Sequence, residues 1–258
     1  MLQTFGLRRL LRRQKPEHRT DTLWVWRTAV LVTLAIGLAK HVSLLAGLAG
    51  LAAAAAQLYI PLRYALTSPE GDDGIGYGFA GLRRDLPWLF GLLIITLVPF
   101  WFLHESWWAW LGVADGSGSR LALPKGDLAP WLAGHAAMST GLFALVAGLE
   151  LVAIHTLGVA LPEELFYRGF LQPKLCRSFA DKPLAYGFVW NHGIALAAAL
   201  FALAHFLGEY NPARLGPFFP ALIFGMLRRR SGSVASAVFL HASFNIFGAL
   251  LFTGLSLR

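Results

Sequence analysis

Leu161-Pro162-Glu163-Glu164-Leu165-Phe166-Tyr167-Arg168-Gly169-Phe170 places two adjacent carboxylates and an arginine inside one of the most apolar parts of the chain. On a helix Glu164 and Arg168 lie one turn apart and can pair, whereas Glu163 points about 100° away and is left for another task. Pro162 is tolerated at a first helical position, and a carboxylate in the first turn is favoured by the helix dipole. Two further pairs with the same spacing follow in long hydrophobic runs: Phe201 with His205, and His241 with Asn245. A charge at the centre of a bilayer costs at least ~2.5 kcal/mol on the most lenient scale, so ionisable groups in such runs are functional candidates.

Taken in order, Glu163-Glu164-x-x-x-Arg168, Phe201-x-x-x-His205 and His241-x-x-x-Asn245 resemble the motif set of the CAAX-processing and bacteriocin-processing (CPBP) intramembrane proteases, an ABI-like family that includes the type II CAAX prenyl proteases. The resemblance covers roughly residues 130–256, and no motif position departs from the pattern. It implies a catalytic set of Glu163, His205, His241 and Asn245. Glu163 and His205 would act on a water, and His241 and Asn245 would donate to an oxyanion. It also implies a substrate that is a membrane protein or a lipidated or secreted peptide.

The residues by themselves leave blander readings open. Glu164 and Arg168 make sense as a structural ion pair that sets the electrostatics around Glu163. Phe201 makes sense as a ring packed beside His205. A lone core histidine is commonly a satisfied one, and a lone asparagine in a membrane helix commonly joins helices. The combination is what points to chemistry. A carboxylate and an imidazole can polarise one water, and an imidazole N–H with an amide can stabilise a tetrahedral oxyanion. Zinc is the rival: Glu163, His205 and His241 would make a two-histidine, one-carboxylate site with an open position. The chain has no His-Glu-x-x-His, and Asn245 suits an oxyanion better than a metal, so no cofactor is favoured. A proton-coupled transporter using Glu150, Glu163 and the histidines is a further alternative, as is a non-catalytic membrane scaffold. No inverted repeat supports the first, and the presence of all four polar residues argues against the second.

Composition sets the class. Of 258 residues, 56% are hydrophobic and 14% charged, against roughly 25% charged in soluble domains. Repeated uncharged runs of about 20 residues are long enough to cross a hydrocarbon layer. The expectation is an all-α, polytopic membrane helix bundle of about seven spans, six to eight in range. The net charge of +8 reads as topology rather than as a nucleic-acid footprint. Cys176 is the single cysteine, which excludes an intrachain disulfide and a thiolate cluster.

Residues 1–22 form a basic arm with Arg8, Arg9, Arg12, Arg13, Lys15 and Arg19. A signal peptide would fit that charge, but hydrophobicity resumes directly through Val42 to Leu66, so a first membrane helix over 23–39 is expected. Further spans are expected at 43–66, 87–111, 184–207, 217–227 and 234–255. Loops are expected at 67–86, 112–128 and 171–183. Residues 129–160 are too long for one upright helix and read as tilted or broken, with the helix restarting at Pro162. The domain reading is thus a cytoplasmic arm (1–22), N-terminal transmembrane helices (23–128) and a protease-like catalytic core (129–258). With the N-terminus inside, the arm, Arg83, Arg84, Arg168, Lys174, Arg177, Lys182 and Arg228 to Arg230 outnumber Lys40, Arg120, Lys125, Arg214 and Arg258 outside. That bias supports a cytoplasmic N-terminus, and a multi-pass protein of the plasma (inner) membrane is expected. Glu150 and His155 stay unassigned, and Asn191 with His192 reads as a helix cap.

Overall fold

In a computed structural model, residues 24, 27–28, 30–35, 41, 43–67, 75–79, 81–111 and 140–256 are described. The architecture is helical: α1 (Ser43–Thr67), α2 (Leu82–Leu111), a long third helix α3 over residues 140–176, α4 (His192–Glu209), α5 (Phe218–Ser231) and α6 (Ala235–Ser256). A two-stranded hairpin, β1 (Lys182–Pro183) with β2 (Val189–Trp190), is antiparallel, with Lys182 opposite Trp190. The first expected span and the loop 112–128 fall wholly or partly outside the described residues.

Among the described residues, three helical stretches are long and apolar enough to cross a membrane: Leu82–Phe102, Leu145–Cys176 and His192–Glu209, with Ala235–Leu250 shorter. The count of about seven spans is not reached on these segments. Large apolar side chains such as Ile94, Ile95, Leu145 and Leu149 face outward, as expected where the surrounding medium is hydrocarbon. These apolar helices suggest an integral membrane protein.

Three expectations need correction. Residues 140–176 form one continuous helix rather than stopping before Pro162. The helix widens into π turns at Ile154–Ala160 and Leu165–Leu171, and it runs to Cys176, past the start expected for the loop. In a regular α-helix the proline ring would meet the carbonyl four residues back. Here the neighbouring Leu161 N–H instead donates to Thr156 O, five residues back, and the wider turn lets the helix carry the proline.

Second, α2 begins at Leu82 and not at Pro87. Asp85, in its first turn, is fully buried and accepts from Ser236 Oγ at 2.8 Å and from Arg230. Those partners and the dipole hold the charged turn helical. Third, α4 begins at His192, because Asn191 caps it: its Oδ1 accepts from Gly193 N at 2.8 Å. Its Nδ2 donates to Asp181 Oδ1 at 2.7 Å.

The core is gathered around the C-terminal half of α3. Phe166, Tyr167, Phe170 and Leu171 pack with Ala197, Ala198 and Phe201 of α4 and Ala221 of α5. Small residues bring the helices close. A methyl group on Gly225 would come within 2.5 Å of Ile194 and 2.7 Å of Gln172, and that contact is used: Gln172 Nε2 donates to Gly225 O at 2.9 Å.

Candidate active site

The two π turns decide what α3 presents. They flank a single α-helical turn, Leu161–Glu164, and every residue from Glu164 to Gln172 is buried. Seven or more buried residues in a row mean that the helix is surrounded, not laid on a surface. Its charged side chains must therefore find partners in neighbouring helices.

They do. Glu164 and Arg168, with side chains 0% and 1% exposed, pair through Arg168 Nη1 and Glu164 Oε1 at 2.9 Å. The same carboxylate oxygen lies 2.8 Å from His241 Nδ1, so α6 is tied to α3 at the motif. The Arg168 guanidinium lies 4.5 Å from the Phe201 ring centroid and 5.2 Å from that of Phe224. Two aromatic faces thus share the desolvated cation with Glu164.

Glu163, 18% exposed, sits beside this pair with its Oε2 3.6 Å from His241 Nε2. That oxygen is buried and has no hydrogen-bond partner among the described residues. His241 is therefore positioned by one glutamate at each nitrogen. Its ring stacks on Phe224 at 5.1 Å and 18° and meets Phe201 edge-on at 5.8 Å.

His205 Nδ1 is 2.9 Å from Phe201 O. A carbonyl only accepts, so Nδ1 carries the proton and Nε2 keeps the lone pair. The His205 ring packs on Phe201 at 4.4 Å, the same ring that His241 meets edge-on. Phe201 is thus the common wall between Arg168, His205 and His241. Asn245, half-buried one turn after His241 on α6, makes no hydrogen bond to the described residues. Glu163, Glu164, Arg168, Phe201, His205 and His241 come together, and Asn245 adjoins them.

One neighbour of the cluster escaped the sequence reading, and another was named there without a role. Phe224 stacks under His241, but one phenylalanine in an apolar run gives no signal by itself. His155 lies within electrostatic reach of His241, on the π turn, with its Nδ1 buried and without a hydrogen-bond partner among the described residues. Its signal was present, as a polar group in an apolar run with no partner in sequence. Glu150 is half-buried earlier on α3. The side chains of His104 and Glu105, and all of His135, fall outside the described residues. Cys176 is buried and free. Among the described residues no three His, Cys, Asp or Glu side chains are grouped so as to hold a metal ion.

Residues 145–247 match the model of a protein family described as type II CAAX prenyl endopeptidase, Rce1-like. That segment spans all three motifs. No curated protein and no solved structure compared with the chain gives a match. Residues 145–247 are thus similar to this family, in agreement with the CPBP resemblance carried by the three motifs, and the similarity supports a CAAX-type intramembrane endopeptidase at family level.

Proposed function

We propose that the chain is an intramembrane endopeptidase of the CPBP type that hydrolyses a peptide bond of a membrane-associated protein or peptide with a water activated by Glu163 and His205. The observation that carries this reading is the position of His241, 2.8 Å from Glu164 on one side and 3.6 Å from Glu163 on the other. Glu163 Oε2, within ion-pair distance of His241, accepts no hydrogen bond from the described residues and so has lone pairs to offer a water.

Glu163 and the Nε2 lone pair of His205 polarise the water, and one of them takes its proton. The hydroxide attacks the carbonyl carbon, and the proton passes to the leaving nitrogen as the C–N bond breaks. The oxyanion is held by Asn245 Nδ2 and by His241 Nε2, which donates when the ring carries both protons. Arg168 pairs with Glu164 beside His241 and does not touch the substrate. The aromatic walls exclude water and strengthen each of these contacts.

One feature favours a second reading. Metal-binding histidines usually donate their other ring nitrogen to a carboxylate, as His241 does to Glu164. The steps above use only Glu163, His205, His241 and Asn245, and a chelator separates them from the zinc alternative. Purified full-length protein should cleave members of a membrane-tethered peptide library, insensitive to a zinc chelator and lost in Glu163→Gln and His205→Ala. Cleavage lost on chelation and restored by zinc would move the reading to a metalloprotease. Cleavage retained in either variant would overturn the assignment of the water-activating pair.

A further inference from the structure

Tyr167 carries a hydroxyl into the most enclosed part of the molecule. The residue is 1% exposed, and its Oη makes no hydrogen bond to the described residues. A buried hydroxyl without a partner is costly, and a phenylalanine would fill the same space beside Phe166, Phe170 and Phe201 without that cost. Two rings fix the direction of the phenol: Phe166 meets it at 5.0 Å and 87°, and Phe201 at 5.1 Å and 84°. Phe201 also packs on His205 and meets His241, so Tyr167 and the two histidines share one wall.

The helix supplies the other half. Tyr167 stands to Glu163 as Arg168 stands to Glu164, since both pairs are four residues apart on the same stretch of α3. In the second pair that spacing closes to 2.9 Å. Aromatic side chains on a helix lean toward its N-terminus, over the residue one turn back, which for Tyr167 is Glu163. Glu163 Oε2 is itself buried and accepts no hydrogen bond from the described residues. An unused donor and an unused acceptor therefore lie one turn apart on one face.

We propose that Tyr167 is a positioning residue whose hydroxyl donates to the Glu163 carboxylate and holds it against the water, an inference that rests on the protease reading. A phenol fixes the direction of the carboxylate without neutralising it. The two adjacent glutamates thus divide the work: Glu164, held by a cation, anchors His241, and Glu163, held by a phenol, faces the water. Thr33 offers the hydroxyl a different use. Its Oγ1 is also buried and without a hydrogen bond among the described residues, and its neighbour Val32 packs on the Tyr167 cluster. A contact between Tyr167 and Thr33 would only join two segments of the fold.

The test removes the hydroxyl and keeps the ring. On a peptide that wild type cleaves from the membrane-tethered library, full-length Tyr167→Phe in detergent should lose about tenfold or more in kcat, as expected for one hydrogen bond to a charged group, with KM unchanged. Thr33→Val should leave kcat unchanged. Unfolding midpoints of wild type, Tyr167→Phe, Glu163→Gln and the double variant form a cycle that needs no turnover. The shift caused by Tyr167→Phe should differ by about 2 °C or more with and without the Glu163 carboxylate. An unchanged kcat in Tyr167→Phe, additive midpoints, or an equal loss of kcat in Thr33→Val would each overturn the proposal. The two readings fail separately: a non-additive cycle in a wild type that cleaves nothing would support the contact and sink the protease reading, and additive midpoints in an active wild type would sink the contact alone.

Discussion

The two halves of α3 are opposites. From Leu142 to Leu157 the helix carries large apolar side chains on its outside: Leu142, Leu145, Leu149, Val152, Ile154 and Leu157 are all exposed. From Glu164 to Lys174 it buries Glu164, Arg168, Gln172 and Lys174. In water this polarity would be inverted. In a membrane the first half meets lipid, and the second is wrapped by α1, α4, α5 and α6, which bring the partners its charges require. Polar groups are concentrated where the protein, not the bilayer, controls the surroundings.

The largest effect should come from breaking a pair in the wrapped half. Arg168→Met leaves Glu164 as an uncompensated buried charge, and loss of one partner of a buried pair costs about 3–5 kcal/mol. Thermal unfolding in detergent should show a large drop, and adding Glu164→Leu should recover much of it. Phe224→Ala removes the ring under His241 and beside Arg168. A buried phenylalanine cut to alanine costs about 3–5 kcal/mol, and in the detergent-unfolded reference, which retains helix, the lower end is expected. Hydrolysis should fall further than folding accounts for, because His241 loses its stacking surface. Asn191→Ala, at the cap of α4, should cost about 1 kcal/mol, read as a modest shift of the same transition. Leu149→Ala, on the lipid-facing half, should stay within about 0.5 kcal/mol with cleavage unchanged. A large loss there would mean that a neighbouring helix, rather than lipid, covers that face.

How much of this was legible in the sequence depends on how local the cause is. The three motifs could be read because each is a one-turn pair in an apolar run, and the structure places Glu163, Glu164, Arg168, Phe201, His205 and His241 together. Where the cause is remote, the reading missed. The early start of α2 depends on Ser236 and Arg230, roughly 150 residues from Asp85. The continuity of α3 through Pro162 depends on π turns, which no residue pattern announced. Phe224 resembles any other core phenylalanine until α5 and α6 are packed. Asn191, by contrast, was legible as a cap, although the span drawn from Leu184 did not use it.

The most direct test of the central claim, that this wrapped interior is a hydrolytic site centred on Glu163, is hydrolysis by Glu163→Gln compared with wild type at matched thermal stability. The substitution keeps size and shape and removes the ability to take a proton. The account predicts a loss of at least about 100-fold, the lower range for a general base, with an unchanged unfolding midpoint. Activity within a few-fold of wild type would contradict it, because the carboxylate beside His241 would then be part of the packing and not of the chemistry.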